Sequence, residues 1–418
     1  MEINLPYGKD GQVSAKIDDS INTTFLEANS VKIGNSVEVI EEALINPFKS
    51  LALSQFLSDA RDILVIVNDA TRPTPTKRVL DVIWSEISGK NIPLNFIIAT
   101  GAHRGPTEEE YLQIFGIHYD KVKDKIIVHD AKKDEDMLFL GKSSNGTEMY
   151  VHKAGVNAHK IIIIGSVEPH YFAGYTGGRK SFLPGIAAYK TIEQNHKLAL
   201  VPEACALALK GNPVHEDMID ALKTVEKEIF SIMTVLDKDH KIYAVTAGDI
   251  HASFEAAIER ANEVFAVPIK KKADIVVSVV KFPADIDLYQ AQKGLDNGKL
   301  ALKDGGILIL VAKCRCGIGG KAFADLLESC STPKEVLETI DKGYKLGYHK
   351  AAKMAEIGLW AEMWGVTDIE PETLSKLFIK PFASLQDALN AAIKQKGKGA
   401  DILFLMDGSL TVPMVQPS

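Results

Sequence analysis

The chain has 418 residues, 46% apolar and 25% charged, with a net charge of −7. That length exceeds one ordinary core and predicts two domains, in a composition typical of soluble globular proteins. The acidic balance argues against a nucleic-acid partner, which needs a basic face.

The N-terminus, MEINLPYGKDG, lacks the apolar core of a signal peptide. Residues 1–20 read as a hairpin turning at Gly8-Lys9-Asp10-Gly11. Residues 36–57 read as helix and Ile63-Leu64-Val65-Ile66-Val67 as a buried strand. Asn68 to Pro75 is a loop, 76–88 is helical by period, and 94–99 is the next strand. Thr100 to Pro106 is a loop, after which Thr107 and Glu110 form a capping box that opens a helix. Weaker strands are expected near 126–129 and 148–152, then a strong one at 160–165. Helix follows at 214–227, strands at 230–236 and 241–246, and helix at 252–265.

Pro268 and the lysines at 270–272 suggest a linker, although a solvated face explains the lysines equally. A second block has a strand at 273–280, a loop at 281–292, helix near 293–303 and a strand at 306–311. A turn at 314–320, helices near 321–329, 333–342 and 347–358, and a strand at 400–406 complete it. No apolar run approaches the ~20 residues that span a bilayer, so no membrane partner is expected. The four cysteines, Cys205, Cys314, Cys316 and Cys330, make no disulfide framework and suit a reducing cytoplasm. The C-x-C spacing of Cys314 and Cys316 is also wrong for a zinc site.

Strands alternating with helices predict an α/β class: two α/β domains, 1–268 and 269–418, with mostly parallel sheets and an active-site cleft between them. Three buried strands run into loops carrying Asp69 and Arg72, His103, and His170. Ligands of such sheets bind outside the carboxyl ends of the strands, so these residues share one rim. Paired histidines suit a reaction that treats both faces of one carbon. Asp69-x-x-Arg72 is either a turn pair or a carboxylate-orienting pair.

The stretch Glu168 to His196 concentrates the chemistry. Gly174-Tyr175-Thr176-Gly177-Gly178-Arg179-Lys180-Ser181 nearly spells a phosphate loop but carries arginine where that motif needs glycine. A glycine turn before a helix explains the glycines but not the lysine among aromatics. A non-enzymatic nucleotide or anion carrier, or a sensor, is the alternative use of this loop. A metal-dependent hydrolase would need a ligand cluster such as H-E-x-x-H, and the chain has none. His349, in a helical stretch, reads as a surface or packing residue.

The motifs DATRP at Asp69, TGAHR at Thr100, EPHYFAG at Glu168, GGRKS-x-LPGI at Gly177, Asn195-His196 and LYQA-x-KG at Leu288 resemble, in order, the nickel-dependent lactate racemase family. The resemblance covers nearly the whole chain. It implies a racemase or epimerase that inverts C2 of a 2-hydroxy acid through a 2-keto acid, by proton-coupled hydride transfer. It implies the nickel-pincer nucleotide, a pyridinium-3-thioamide-5-thiocarboxylic acid mononucleotide, and therefore the enzymes that build this cofactor as partners. By position, Lys180 would tether the cofactor and His196 would ligate nickel. Asp69, Gly177 and Gly178 would lie beside the cofactor. His103 and His170 would be the acid and base, while Arg72, Tyr289, Gln290 and Lys293 would bind substrate. Lactate-acting members carry tryptophan near the position of His349. Histidine there suits a longer or more polar substrate.

Overall fold

The computed structural model describes residues 1–89 and 91–416. The chain forms two compact units. One is Ser30–Val264; the other joins Met1–Asn29 to the chain from Phe265 onward.

The sheet of the first unit has six strands in the order Ile242–Asp249, Glu228–Leu236, Lys160–Ser166, Ile63–Asn68, Leu94–Ala99, Ile126–Val128. Every pairing is parallel except that of Glu228–Leu236 with Ile242–Asp249. Counted in chain order, the arrangement is 3-2-1-4-5-6, a doubly wound sheet. The central strands are buried on both faces, which is why they read as unbroken apolar runs. Helix Thr76–Ser88 covers the sheet with Val79, Leu80, Ile83 and Ile87, a stripe at helical spacing. The capping box at Thr107 forms as expected.

The helix expected over 36–57 is instead two pieces, Ser36–Ile45 and Leu53–Phe56. Pro47 separates them. It offers no N–H and disfavours helical backbone at Asn46.

The second unit has a six-stranded, all-parallel sheet in the order Ile379–Pro381, Glu362–Val366, Leu302–Val311, Ala273–Val279, Ile402–Leu405, Thr23–Leu26. Its edge strand comes from the far end of the chain. Sequence order puts residues 1–29 with the first domain, but Thr23–Leu26 pairs with Ile402–Leu405 and brings the Glu2–Lys16 hairpin with it. Pro268 sits inside the short strand Ala266–Ile269, paired with Val412–Val415, so this position is sheet and not linker. Helix Leu288–Gly298 begins inside the expected 281–292 loop, because Asp287 caps it by accepting the Gln290 N–H at 2.8 Å. No helix among the described residues is long and apolar enough to cross a membrane, and none of the four cysteines is in a disulfide.

The first core is tight. Phe96 is fully buried and meets Phe115 edge-to-face at 5.6 Å. Phe96→Ala should lower unfolding stability by about 3–5 kcal/mol in urea titration, as truncation of a large core aromatic does.

Candidate functional site

The strand order of the first unit reverses between Ile63–Asn68 and Lys160–Ser166, so the connections leave in opposite directions there. Such a switch point opens a crevice outside the carboxyl ends of the strands. Asp69 and Arg72 follow one of these strands, and Glu168 and His170 follow the other. The rim is stitched together. Asn68 Nδ2 donates to Thr74 Oγ1 at 2.7 Å, and the Thr74 and Ser166 hydroxyls meet at 2.9 Å.

Asp69 is buried, and both its oxygens are engaged. Oδ1 accepts from the Thr71 N–H at 3.1 Å and the Thr71 hydroxyl at 2.6 Å. Oδ2 lies 2.8 Å from His103 Nδ1. Burial alone would raise the Asp69 carboxyl. Its hydrogen bond to His103, with the charges of His103 and Arg72, outweighs burial and holds it below the usual carboxylate range. His103 comes from the loop after Leu94–Ala99, and that loop rests on the glycine-rich segment: the Gly101 N–H donates to the Gly185 carbonyl at 2.9 Å. Gly185 has no room for a side chain, since a Cβ would lie 2.2 Å from the Ser181 carbonyl oxygen.

Gly177 has φ 81°, and a Cβ there would lie 2.7 Å from Val167 and 2.9 Å from the Ser166 carbonyl oxygen. The loop it opens is organised by Arg179, which is 1% exposed. The guanidinium donates to the Ala173 carbonyl at 2.7 Å and the Gly177 carbonyl at 3.1 Å, and it stacks over Phe254 at 4.4 Å. Burial lowers its pKa, yet it stays cationic at neutral pH. Its charge also faces His215, whose imidazole is pushed down to about 3 by burial and then by Arg179.

Phe172 is the hub of the site. Its ring centroid lies 4.5 Å from that of His170, 5.0 Å from that of His196, and 5.5 Å from Lys180 Nζ. Three of the residues expected from sequence therefore surround one phenyl ring. The Phe172 carbonyl is held by the fully buried Asn212, whose Nδ2 donates at 2.9 Å. His170 is buried in the short hairpin Pro169–His170/Gly174–Tyr175, and its Nδ1 accepts the Ala173 N–H at 3.3 Å. His196 is half-buried on helix Tyr189–Lys197. The preceding Asn195 anchors that helix through its bond to the buried Asp217 at 2.8 Å.

In the second unit, helix Leu288–Gly298 carries Tyr289, Gln290 and Lys293, after the carboxyl end of Ala273–Val279. The Tyr289 carbonyl accepts from Lys350 Nζ at 2.5 Å, and that ammonium sits 4.3 Å from the Tyr289 ring centroid. Lys350 and Lys293 both act on the Asp287 carboxyl, which burial nevertheless raises. His349 is buried, not on the surface, and its Nδ1 lies 2.8 Å from the Tyr344 hydroxyl.

Sequence reading left out Phe172, Arg179 and Asn212 as working parts. Asn212 ahead of Pro213 is an N-cap signature, and it caps Pro213–Lys223. Arg179 looked only like a flaw in a phosphate loop.

The chain matches the family models for the lactate racemase N-terminal domain over residues 7–207 and the C-terminal domain over residues 269–412. It is 32% identical over 418 residues to a lactate racemase of Thermoanaerobacterium thermosaccharolyticum, covering 97% of each chain. It is 31% identical to a lactate racemase of Lactiplantibacillus plantarum, covering 97% of this chain and 98% of that one. The solved lactate racemase apoprotein of Thermoanaerobacterium thermosaccharolyticum superposes with a TM-score of 0.92 at 30% identity, over 99% of this chain and 100% of the other. A Thermotoga maritima protein shares the fold at a TM-score of 0.70 and 16% identity, over 92% of this chain and 100% of the other.

Arg179→Met removes the donors to two buried carbonyls, each costing about 1–3 kcal/mol when left bare. Urea denaturation should therefore give a loss of about 2–6 kcal/mol. Arg179→Lys should recover less than half, because an ammonium cannot span both acceptors as a planar fork does.

Proposed function

The chain belongs to the lactate racemase family, and from that premise we propose that it inverts C2 of a 2-hydroxy acid with a nickel-pincer nucleotide as cofactor. It is a racemase, an isomerase acting on a small hydroxy acid. The alternative of a non-enzymatic carrier or sensor falls with that membership. One observation carries the finer reading: Lys180, His170 and His196 gather around the Phe172 ring.

These residues fit the cofactor. Lys180 is a half-buried amine over an apolar ring, a suitable tether for a thioamide link. His196 offers an imidazole, a good nickel ligand. Among the described residues, no three His, Cys, Asp or Glu side chains converge as a metal cage. When bound, the nickel-pincer nucleotide would supply an acceptor for the Cα hydrogen as hydride.

The chain's own residues handle the proton and the carboxylate. The Cα–H of a hydroxy acid is too weak an acid for imidazole to remove, so the histidines act on oxygen instead. His103, backed by Asp69, takes the hydroxyl proton. Loss of both hydrogens leaves a planar 2-keto acid that retains no configuration. His170 serves the oxygen when the other face is used. Arg72, close enough to Asp69 to help depress its carboxyl, holds the substrate carboxylate. Lys293, Tyr289 and Gln290 are the substrate residues of the second unit. General acid–base help of this kind contributes ~10²–10⁴-fold per group.

Protein from cells that make the cofactor should carry a mononucleotide-sized mass increment lost in Lys180→Ala, with about one nickel per chain. An unmodified Lys180 without nickel from such cells would sink the reading. His103→Gln and His170→Gln should each lower racemisation by at least about 100-fold with nickel retained. A panel of 2-hydroxy acids decides the substrate. If His349 marks a longer or more polar side chain, such an acid will be turned over at least as fast as lactate.

A further inference from the structure

Two further histidines lie against the segment that joins the Lys180 turn to the His196 helix. His129 follows strand Ile126–Val128, and His152 ends strand Glu148–His152. Both are buried, and their rings meet edge-to-face at 5.8 Å. Ile186, Ala187 and Ala188 of the segment are fully buried. The His152 N–H donates to the Ile186 carbonyl at 2.9 Å, the Ala188 N–H to the Tyr150 carbonyl at 3.0 Å, and the Tyr189 N–H to the Ala131 carbonyl at 2.7 Å. The His129 ring completes the set, with Nε2 donating to the Ala187 carbonyl at 3.0 Å.

Each ring is bonded in a way that only its neutral form satisfies. A carbonyl only accepts, so His129 carries its hydrogen on Nε2. Its Nδ1 is buried and has no hydrogen-bond partner among the described residues. A second proton would create a buried N–H with nothing to receive it. His152 Nδ1 accepts the Ala154 N–H at 3.1 Å and so caps helix Lys153–Asn157. A proton there would set two donors face to face and remove the cap.

We propose that His129 and His152 form a proton-sensitive clasp, closed on the Ile186–Tyr189 segment while both rings are neutral and open when the released rings take up protons. The clasp stands on its own geometry; its use, to hold the frame of the cofactor, rests on the racemase reading.

The surrounding charges do not reverse this. Burial pushes the His129 imidazole down to about 4, helped by His152 and against the pull of the Ala187 carbonyl, Asp130 and Asp136. Burial also lowers His152, where Lys153 and Lys133 oppose Asp136. Asp136 is itself paired with Lys153 at 2.6 Å and Lys133 at 2.8 Å. Lys190 and Lys132 lie over the Tyr150 and Tyr189 rings, at 3.4 and 5.3 Å.

The open segment therefore binds protons that the closed one excludes. Closure has its full strength above pH 6.5, the ordinary imidazole value, and weakens as pH falls toward about 4. For His129 alone, opening is about 20-fold easier at pH 5 than at pH 7. His152 adds to that. Acid thus loosens the link between the expected tether and the expected nickel ligand.

The test is hydrogen exchange with mass analysis on the full chain without cofactor, at pH 7 and pH 5, corrected for the intrinsic pH dependence of exchange. Peptides covering residues 186–190 should show an opening constant at least about 20-fold larger at pH 5. The double variant His129→Gln, His152→Asn supplies the control. The glutamine amide can still donate to Ala187 and the asparagine can still cap the helix, but neither takes up a proton. Its opening constant should change by less than about threefold, since no imidazole of the clasp remains to titrate. A histidine-labelled ¹H–¹⁵N titration of the wild type should find both rings neutral in the folded chain at pH 6. A wild-type change below about threefold, an equal change in the double variant, or either ring charged at pH 6 would each overturn the inference. If the double variant does not fold, the wild-type exchange and titration decide. The measurement uses no cofactor, so a loaded enzyme that racemises no 2-hydroxy acid would leave the clasp standing, and a flat exchange profile would leave the racemase reading standing.

Discussion

The site depends on one buried cation. Arg179 lies in the interior and satisfies the carbonyls of Ala173 and Gly177, which bracket the glycine-rich turn. Buried carbonyls without partners are costly, so a loop this deep needs an internal donor. A guanidinium suits the task, because its rigid fork reaches more than one acceptor and its charge survives burial. The loop shape it enforces puts Phe172 among His170, His196 and Lys180. The aromatic ring supplies an apolar floor.

The sheet supplies the second constraint. A 3-2-1-4-5-6 order splits the chain's direction between Ile63–Asn68 and Lys160–Ser166. The residues that leave those strands face a crevice that no crossover helix fills. The Thr74 and Ser166 hydroxyls bind its two lips, and the Gly101–Gly185 hydrogen bond ties in the His103 loop from the next strand. Three loops that are far apart in sequence are thus referenced to one framework. Such referencing keeps the side chains on these loops at fixed spacing, the condition that positioned catalysis sets.

Much of this was legible in the sequence, for definite reasons. Strands buried on both faces leave unbroken apolar runs, so Ile63 and Ile161 announced their strands, Leu94 did so despite the exposed Asn95, and the residues after them fell on one rim. The edge strand Thr23–Leu26 left no such mark, because only Leu26 of its four residues is buried and its partner lies near residue 402. The helix at Leu288 was hidden by Pro283 and two aspartates that read as loop. Asp287-x-x-Gln290 was its capping signal, an N-cap acid with glutamine three residues on. Arg179 and Phe172 escaped because a buried arginine and a hub aromatic have no local pattern. Their roles exist only in the packed loop.

The near miss to a phosphate loop now has a physical account. A phosphate loop works by leaving consecutive backbone N–H groups open to an anion. Here alternate groups along the loop are taken. The Gly178 N–H donates to the Met233 sulfur at 3.3 Å, the Lys180 N–H to the Gly177 carbonyl at 3.1 Å, and the Phe182 N–H to the Arg179 carbonyl at 3.1 Å. The arginine that breaks the motif also turns the loop's carbonyls inward. Two basic neighbours in one short turn are therefore divided in function: Arg179 is spent on the backbone, and Lys180 reaches over Phe172. Glycine at position 179 would lose the donors that hold this shape. The loop fixes one lysine against an apolar ring beside two imidazoles, and amides turned to internal acceptors serve that end better than an open cradle.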